Sequence, residues 1–185
     1  MKDINLFKTK DSIFLKKIKS KSELTNDDSD GYIIKSSEKE ARRIIQSLKD
    51  KNKIIAITGG DDAFNRRIIE TLKINYLISP EQGNKKDNLK QRDSGINHVV
   101  AKLAKEKNIV IVVNMSEIVK LEKIEKVLRL EKIIQNIKIC RKAKCEFKIA
   151  NLANDKKNII NERARKSFGI SLGMSSLQSS ESVRF

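Results

Sequence analysis

The 185-residue sequence predicts an α/β fold in which helices cover a parallel sheet. Short apolar runs alternate along the chain with stretches of helical period. Runs such as Ile54–Ile57 and Ile109–Val113 are apolar at successive positions, which is typical of strands buried on both faces. Repeated strand–helix units indicate a parallel sheet, because each helix returns the chain to the edge where the previous strand began.

The first third of the chain supplies the first predicted units. Gly31 opens one strand, and Ser36 and Ser37 are suitable N-caps for a helix whose apolar residues share one face. The turn after the next strand, Gly59–Asp62, starts another helix. In order, these elements are strands at Ile4–Phe7, Ile13–Leu15 and Tyr32–Ile34, a helix ending near Asp50, the strand Ile54–Ile57, and a helix with Phe64, Ile68, Ile69 and Leu72 inward.

The rest of the chain continues the alternation. Pro80 ends one strand and precedes a long polar loop, and Ser116 is a candidate cap for a long helix. The predicted elements are the strand Asn75–Ile78, the loop Glu81–Arg92, the helix Ser94–Lys107, the strand Ile109–Val113, a helix from Ser116 to about Lys142, the strand Phe147–Ala150, and a helix at about Lys156–Phe168.

The pattern contains six or seven strands and leaves two architectures open. Six strands can form an open doubly wound sheet, whereas seven or eight can close into a barrel. In both, ligands meet the loops at the carboxyl ends of the strands. The candidate loops are Gly59–Asp62, Pro80–Asp93, Asn114–Ser116 and Asn151–Asp155.

Length and apolar content predict one domain, residues 1–174, followed by a Ser-rich mobile tail, residues 175–185. The longest apolar run is far below the roughly 18 residues needed to span a bilayer. The first residues also lack the apolar region of a signal peptide. We therefore expect a cytoplasmic protein without a membrane partner.

The chain is strongly basic, with a formal net charge of +16 from 40 Lys and Arg against 24 Asp and Glu. Such an excess favours a polyanionic partner, since each neutralised phosphate releases counterions. A genome bias towards Lys, Ile and Asn is the alternative explanation. Aromatic residues are 4% and Trp is absent, so structured RNA contacted through its phosphates fits better than stacked single strands.

Three groups of cations are candidate RNA contacts. Arg66 and Arg67 lie in the first turns of a predicted helix, where the helix dipole opposes positive charge. A polar loop at the expected functional rim carries Lys85, Lys86, Lys90 and Arg92. Between Glu131 and Glu146 the long helix and its end have no acidic residue, and this stretch includes Lys138, Arg141 and Lys142.

The sequence offers no catalytic or metal-binding set. His98 is the sole histidine, so it cannot supply a cluster that activates water, and we interpret it as a packing or RNA-contact residue. Cys140 and Cys145 lack zinc-site spacing and are interpreted as reduced thiols near a helix end and a strand. The turn Gly59–Asp62 lacks the phosphate-binding motifs and is interpreted as a tight turn with a helix cap.

Several segments, in their order along the chain, resemble the archaeal-type ribonuclease P protein component 3. They are Asn65-Arg66, Ile78-Ser79-Pro80-Glu81, Arg92 through Leu103, the long helix with Arg129, and Phe168 through Met174. The resemblance covers most of residues 50–174, and residues 1–49 match only in layout. It implies a compact, slightly incomplete TIM-like (β/α) barrel with parallel strands and outer helices.

The resemblance also implies a function. The chain would be a protein subunit of ribonuclease P, in which the RNA, with its Mg²⁺ ions, cuts the 5′ end of precursor tRNA. Its partners would be the ribonuclease P RNA, precursor tRNA through the particle, and a small protein subunit. Arg129 and Arg163 join the RNA-contact candidates, and the chain itself binds no cofactor.

Two departures from the family pattern concern the end of the chain. Asn151 and Ala153 stand where the family has Ser followed closely by Ala, and Ile160 replaces an arginine. Hydroxyl chemistry at the first site and RNA contacts by the last helix are therefore less well supported. The alternative function is a generic structured-RNA-binding or ribosome-associated barrel without a role in cleavage. A metal-dependent phosphoesterase is disfavoured by the histidine count.

Overall fold

Seven parallel strands form one sheet in the order of the chain. The computed structural model describes residues 2–10, 12–24, 28–50, 52–83 and 93–185. The strands are β1 (Asp3–Asn5), β2 (Ser12–Ile18), β3 (Gly31–Ile34), β4 (Ile54–Thr58), β5 (Tyr76–Ile78), β6 (Val110–Asn114) and β7 (Phe147–Ala150).

Seven α-helices surround this sheet in the described ranges. They are α1 (Glu38–Ser47), α2 (Asp62–Thr71), α3 (His98–Glu106), α4 (Met115–Lys120), α5 (Lys123–Ala143), α6 (Glu162–Ser171) and α7 (Ser176–Ser182). Short 3-10 turns lie at Lys21–Glu23, Pro80–Gln82 and Lys156–Asn158. None of these helices combines the length and the apolar character that a bilayer span requires.

The barrel is nearly closed by contacts between β1 and the residues that follow β7. Leu152 N donates to Ile4 O at 2.8 Å, and Leu6 N donates to Ala153 O at 3.0 Å. A buried ion pair joins the same two regions, since Arg165 Nη1 lies 3.0 Å from Asp3 Oδ1. The predicted TIM-like barrel, slightly incomplete and covered by helices, is therefore confirmed.

Alternate residues of the strands divide the core into an inner and an outer part. In β4, Ala56 belongs to the barrel interior, whereas Ile57 packs beneath the outer helices. The interior cluster includes Ile4, Leu15 and Val112. In β3, β4 and β6 residues on both faces are buried, which explains why these strands read as continuous apolar runs, whereas β2 has the exposed Lys17.

Three predicted helices have other boundaries in the structure. The last of them, expected at about Lys156–Phe168, is a 3-10 turn at Lys156–Asn158 followed by α6, Glu162–Ser171. The helix expected from Ser94 begins at His98, because Gly95 has φ +79° and Asn97 is the N-cap. The long helix expected from Ser116 is two helices, α4 and α5, separated by extended backbone at Leu121 and Glu122. Asn114, not Ser116, caps α4 through the backbone N–H of Glu117. Apolar periodicity continues across the break and conceals it in the sequence.

Residues 175–185 differ from the predicted mobile tail. They begin with a capping box formed by Ser175 and Gln178 and continue as α7. Ser179 packs on α6, where a Cβ added to Gly169 would lie 2.8 Å from the Ser179 hydroxyl. Phe185 packs edge-on against Tyr76, with ring centroids 6.0 Å apart. Small residues, rather than a hydrophobic stripe, form this helix contact, so composition did not indicate it.

The loops at the carboxyl ends of β4 and β5 and the loop before α3 are joined by one buried side chain, that of Asn65. Its Nδ2 donates to the carbonyls of Gly60, Pro80 and Gly95 at 3.1, 3.1 and 2.8 Å. Its Oδ1 accepts from Gly60 N at 2.8 Å. Asn65 is fully buried, and so are its hydrogen bonds to the carbonyls of Pro80 and Gly95, whereas those to Gly60 are partly buried.

We expect Asn65→Ala to destabilise the protein by about 3 kcal/mol, because it leaves the buried carbonyls of Pro80 and Gly95 unpaired and removes two partly buried bonds to Gly60. Urea unfolding at equilibrium measures the change. Asn154→Ala removes the same side chain from an exposed loop position and should be nearly neutral. Equal effects of the two substitutions would contradict the role given to Asn65.

Candidate nucleic-acid interface

Helix α5 forms hydrogen bonds at both ends of the loop that follows Pro80 and carries Lys85, Lys86, Lys90 and Arg92, here called the basic loop. Lys132 Nζ donates to Gly83 O at 3.4 Å, and Asn136 Nδ2 donates to Ser94 O at 2.9 Å. Lys132 and Asn136 are four residues apart and therefore lie on the same face of the helix. The predicted contacts Lys85, Lys86, Lys90 and Arg92 lie between these anchors and outside the described residues.

Arg129 lies one turn before Lys132 and shares its side of α5. The Arg129 guanidinium is half-buried and acts electrostatically on Glu81, at the start of the same loop. Two helix cations thus flank a segment whose sequence adds four more. We use the name loop surface for Arg129 and Lys132 together with the loop cations Lys85, Lys86, Lys90 and Arg92, which lie outside the described residues.

Glu81 is a buried carboxylate at the base of the loop surface. It is 2% exposed, and neither carboxylate oxygen has a hydrogen-bond partner among the described residues. Burial raises the pKa of the Glu81 carboxyl to about 7, while the Arg129 charge opposes and the Glu117 charge adds to this increase. Glu117 is also bonded to the neighbouring Gln82 side chain. Glu81 therefore changes its charge near neutral pH.

Lys138, Arg141 and Lys142 occupy a second surface, at the carboxyl end of α5. Nine residues separate Lys138 from Arg129, which is two and a half turns, so the two lie on opposite sides of the helix and about 14 Å apart along it. Lys138 and Lys142 are exposed and form no ion pair within the described part of the chain. Arg141 Nη2 donates to Gly173 O at 2.6 Å. We call these three residues with Lys144 the α5 basic end.

Arg66 and Arg67 lie on the outer face of α2, and both have acidic partners within the protein. Arg66 Nε is 2.6 Å from Glu70 Oε1, and this hydrogen bond raises the pKa of the Arg66 guanidinium. Arg67 Nε is 3.9 Å from Glu38 of α1. These pairs explain how cations are tolerated near a helix start, and any RNA contact there would compete with them.

Two arginines near this face were not singled out by the sequence analysis. Arg42 Nη2 is 2.7 Å from Glu38, and Arg43 Nη1 is 3.6 Å from Glu40. The spacing of Glu38 and Arg42, four residues apart on a helix, is the signal that predicts such a pair. The α1–α2 face therefore carries cations and acids in nearly equal number.

Two nearby arginines of α6 have different environments. Arg163 is exposed in the first turn, as an RNA contact requires. Arg165 is 5% exposed and closes the barrel through Asp3. Asn151, at the first position that departs from the family pattern, exchanges hydrogen bonds with the backbone of Ile160 at 2.8 and 3.0 Å. Both departures are thus joined in one structural contact.

The turn after β4 and the single histidine have structural positions. Asp61 caps α2 by accepting from Phe64 N at 2.7 Å, which confirms the interpretation of the turn as a helix cap. His98 is the first residue of α3 and is half-buried. Across the described residues, no three His, Cys, Asp or Glu side chains are grouped as a metal site would require.

Comparison with known proteins identifies relatives in archaea. No protein-family model matches the chain. Ribonuclease P protein component 3 of Methanocaldococcus jannaschii is 30% identical over 132 residues, and that of Methanococcus vannielii is 26% identical over 123 residues. This chain is similar to ribonuclease P protein component 3. The matches cover 71% and 66% of the chain but only 54% and 50% of these relatives, so the chain spans about half of their length.

A solved structure shares the fold over nearly the whole chain. A chain in the cryo-EM structure of archaeal ribonuclease P with mature tRNA superposes with a TM-score of 0.76. The alignment covers 98% of this chain and 87% of that chain, at 23% identity. The barrel, including its last helices, is thus an architecture already observed.

The sequence segments that resemble component 3 meet in space. Asn65 binds the backbone of Pro80 and of Gly95, and these three residues come from three different segments of the resemblance. A Cβ on Gly95 would lie 1.9 Å from Pro80 O, so the contact requires glycine. This part of the component 3 pattern is therefore explained by loop structure rather than by a direct RNA contact.

The raised pKa of Glu81 makes the stability of the folded protein depend on pH. Its folded pKa, about 7, lies above the ordinary value of 4.5. The folded state therefore binds the proton more tightly, and its stability falls as pH rises from about 4.5 through 7. We expect Glu81→Gln to stabilise the protein at pH 8, on the order of 3 kcal/mol, with little effect at pH 5.

Urea unfolding at the two pH values measures this difference. Glu125→Gln, which removes an exposed carboxylate from α5, is the control and should leave the pH dependence unchanged. Parallel pH profiles for Glu81→Gln and the unmodified protein would show that Glu81 is not the titrating group.

Proposed function

We propose that the chain is a protein subunit of ribonuclease P that binds and stabilises the catalytic RNA during 5′ maturation of precursor tRNA. The observation that carries this proposal is its similarity to component 3, supported by the shared fold over 98% of the chain. Cleavage would be carried out by the RNA with its Mg²⁺ ions, and the isolated chain would not be catalytic. This role would place the chain in the cytoplasm.

The charge distribution supports binding to RNA phosphates. The loop surface combines Arg129 and Lys132, on one side of α5, with four cations in the sequence of the loop, and α5 binds the described residues at both ends of that loop, Gly83 and Ser94. The α5 basic end and Arg163 add exposed cations elsewhere on the barrel. We propose the loop surface as the principal RNA contact, with the α5 basic end as the second contact.

Arg66 and Arg67 complete the proposed RNA-binding set, although RNA would compete with Glu70 and Glu38 for these guanidinium groups. We further propose that a small protein subunit of the particle binds the chain together with the RNA, and that precursor tRNA is met through the particle. Protein cations would screen phosphate repulsion, so less Mg²⁺ would be needed to hold the RNA fold.

Charge-matched lysine pairs test where the RNA binds. Lys85→Ala with Lys86→Ala, and separately Lys138→Ala with Lys142→Ala, should each weaken binding to ribonuclease P RNA and lower the salt slope by about two. Lys102→Ala with Lys105→Ala removes the same charge from the exposed face of α3 and is the control. Binding measured across a salt series should be unchanged for that pair, and equal losses in all three would indicate a non-specific charge effect.

Reconstitution tests the function itself. The RNA and the other protein subunits are assayed for 5′ maturation of precursor tRNA at low magnesium, with and without this chain. We expect the chain to increase cleavage by lowering the Mg²⁺ requirement. We also expect the small protein subunit to increase the preference of this chain for ribonuclease P RNA, with a coupling free energy of about 1–3 kcal/mol. The chain without RNA, incubated with Mg²⁺, is the control and should cut nothing.

The alternative is a generic structured-RNA-binding or ribosome-associated barrel, which the net charge of +16 also favours. Such a protein would bind unrelated structured RNAs with equal affinity and would leave cleavage unchanged. That pair of results would replace the ribonuclease P proposal.

A further inference from the structure

The carboxyl end of α5 has the hydrogen bonds of a Schellman motif. Cys145 N donates to Cys140 O at 2.9 Å, and Lys144 N donates to Arg141 O at 3.2 Å. Lys144 adopts the left-handed conformation, with φ 56°. In this motif, the residue after the left-handed position contacts the side chain at the start of the last turn. Here both contacting residues are cysteines.

The two thiols are free and adjacent. Both belong to the core cluster beneath the helices, with Cys140 1% and Cys145 7% exposed. The Cys140 thiol donates a hydrogen bond to the Cys145 sulfur, which raises the pKa of Cys140 and lowers that of Cys145. Cys145 is therefore the better nucleophile of the pair.

An open cavity gives access to one of the two thiols. It has a volume of about 170 Å³ and is lined by Cys145 but not by Cys140. Arg141 and Lys148 also line this cavity. A small oxidant can enter such a space. Glu146 also lines it and by its charge raises the Cys145 pKa, but the hydrogen bond from Cys140 has the larger effect and lowers it.

We propose that Cys140 and Cys145 form an oxidation site, at which hydrogen peroxide converts the dithiol into an intramolecular disulfide. The Cys145 thiolate attacks one peroxide oxygen, so an S–O bond forms, the O–O bond breaks, and water leaves after protonation. Cys140 then attacks the Cys145 sulfur, so the S–S bond forms, the S–O bond breaks, and a second water leaves. Two thiols lose two electrons and two protons, and one peroxide is reduced to two waters.

The helix end favours closure of this disulfide. The backbone bond between Cys145 and Cys140 already holds the two residues together, so little further chain entropy is lost. The resulting ring contains six residues and encloses Arg141, Lys142 and Lys144 of the α5 basic end. The proposal stands on the motif and the cavity and does not depend on the proposed function.

Mass spectrometry of the full chain after treatment with hydrogen peroxide tests the site. We expect a loss of about 2 Da, reversed by dithiothreitol. Trypsin cleaves between the two cysteines, so the peptides Ile139–Arg141 and Cys145–Lys148 should be recovered joined by a disulfide. Detection of disulfides only between molecules, or of no disulfide when a free cysteine peptide is oxidised, would overturn the proposal.

Single variants test the order of the two steps. Cys140→Ser should leave Cys145 as a sulfenic acid that dimedone traps, because no second thiol resolves it. Cys145→Ser should leave Cys140 at least tenfold slower to react with peroxide, since Cys140 does not line the cavity. Circular dichroism confirms that each variant is folded. Faster reaction at Cys140 than at Cys145 would overturn the assignment of the attacking thiol.

Discussion

The geometry of the barrel rim depends on the Asn65 amide. This single side chain satisfies backbone groups of three loops that are far apart in sequence. Those loops adopt conformations that need support, since Ser79 and Gly95 both have positive φ. A shorter side chain would leave the carbonyls unpaired, and an aspartate would offer no donor to them. One amide thus shapes the rim, and water has no access to its bonds with Pro80 and Gly95.

Helix α5 connects the hydrophobic core with the two basic surfaces. Its inner face carries Ile133 and Ile137 into the core, while Lys132 and Asn136 hold the ends of the basic loop. The same helix places Lys138 on the side opposite to Arg129 and about 14 Å further along its axis. Glu81, at the start of the loop, changes charge near pH 7 because it is buried. Packing in the core and charge at the surface are therefore set by one helix.

Local patterns in the sequence predicted much of the fold. β7 was predicted with its observed bounds, and the other strands to within three residues at either end, because apolar runs mark buried strands. Periodicity did not distinguish a barrel from an open sheet, since closure depends on Asp3 and Arg165, which are 162 residues apart. The break before α5 was missed because the apolar periodicity continues across it. Helix α7 was missed because it has no clear apolar stripe.

The candidate site was less predictable than the fold. Charge counting identified Lys138 and Lys142, which the structure leaves exposed, but it equally selected Arg66 and Arg67, which have acidic partners. Asn65 belongs to the family pattern, but the sequence did not indicate its structural role, because a buried hydrogen bond to distant backbone has no local signature. The adjacency of Cys140 and Cys145 follows from a helix ending with a left-handed lysine, where glycine is the usual signal.

The contact that closes the barrel also orders the events of folding. β1 is synthesised first, yet its partners, Leu152, Ala153 and Arg165, come from the other end of the barrel. Contacts between such distant residues carry a high loop-closure entropy and form slowly. During synthesis, Ile4 O and Leu6 N therefore lack their backbone partners until residues 152 and 153 have left the ribosome. The nascent chain thus exposes an unsealed strand edge for most of its translation, which is the interval in which a chaperone would bind it.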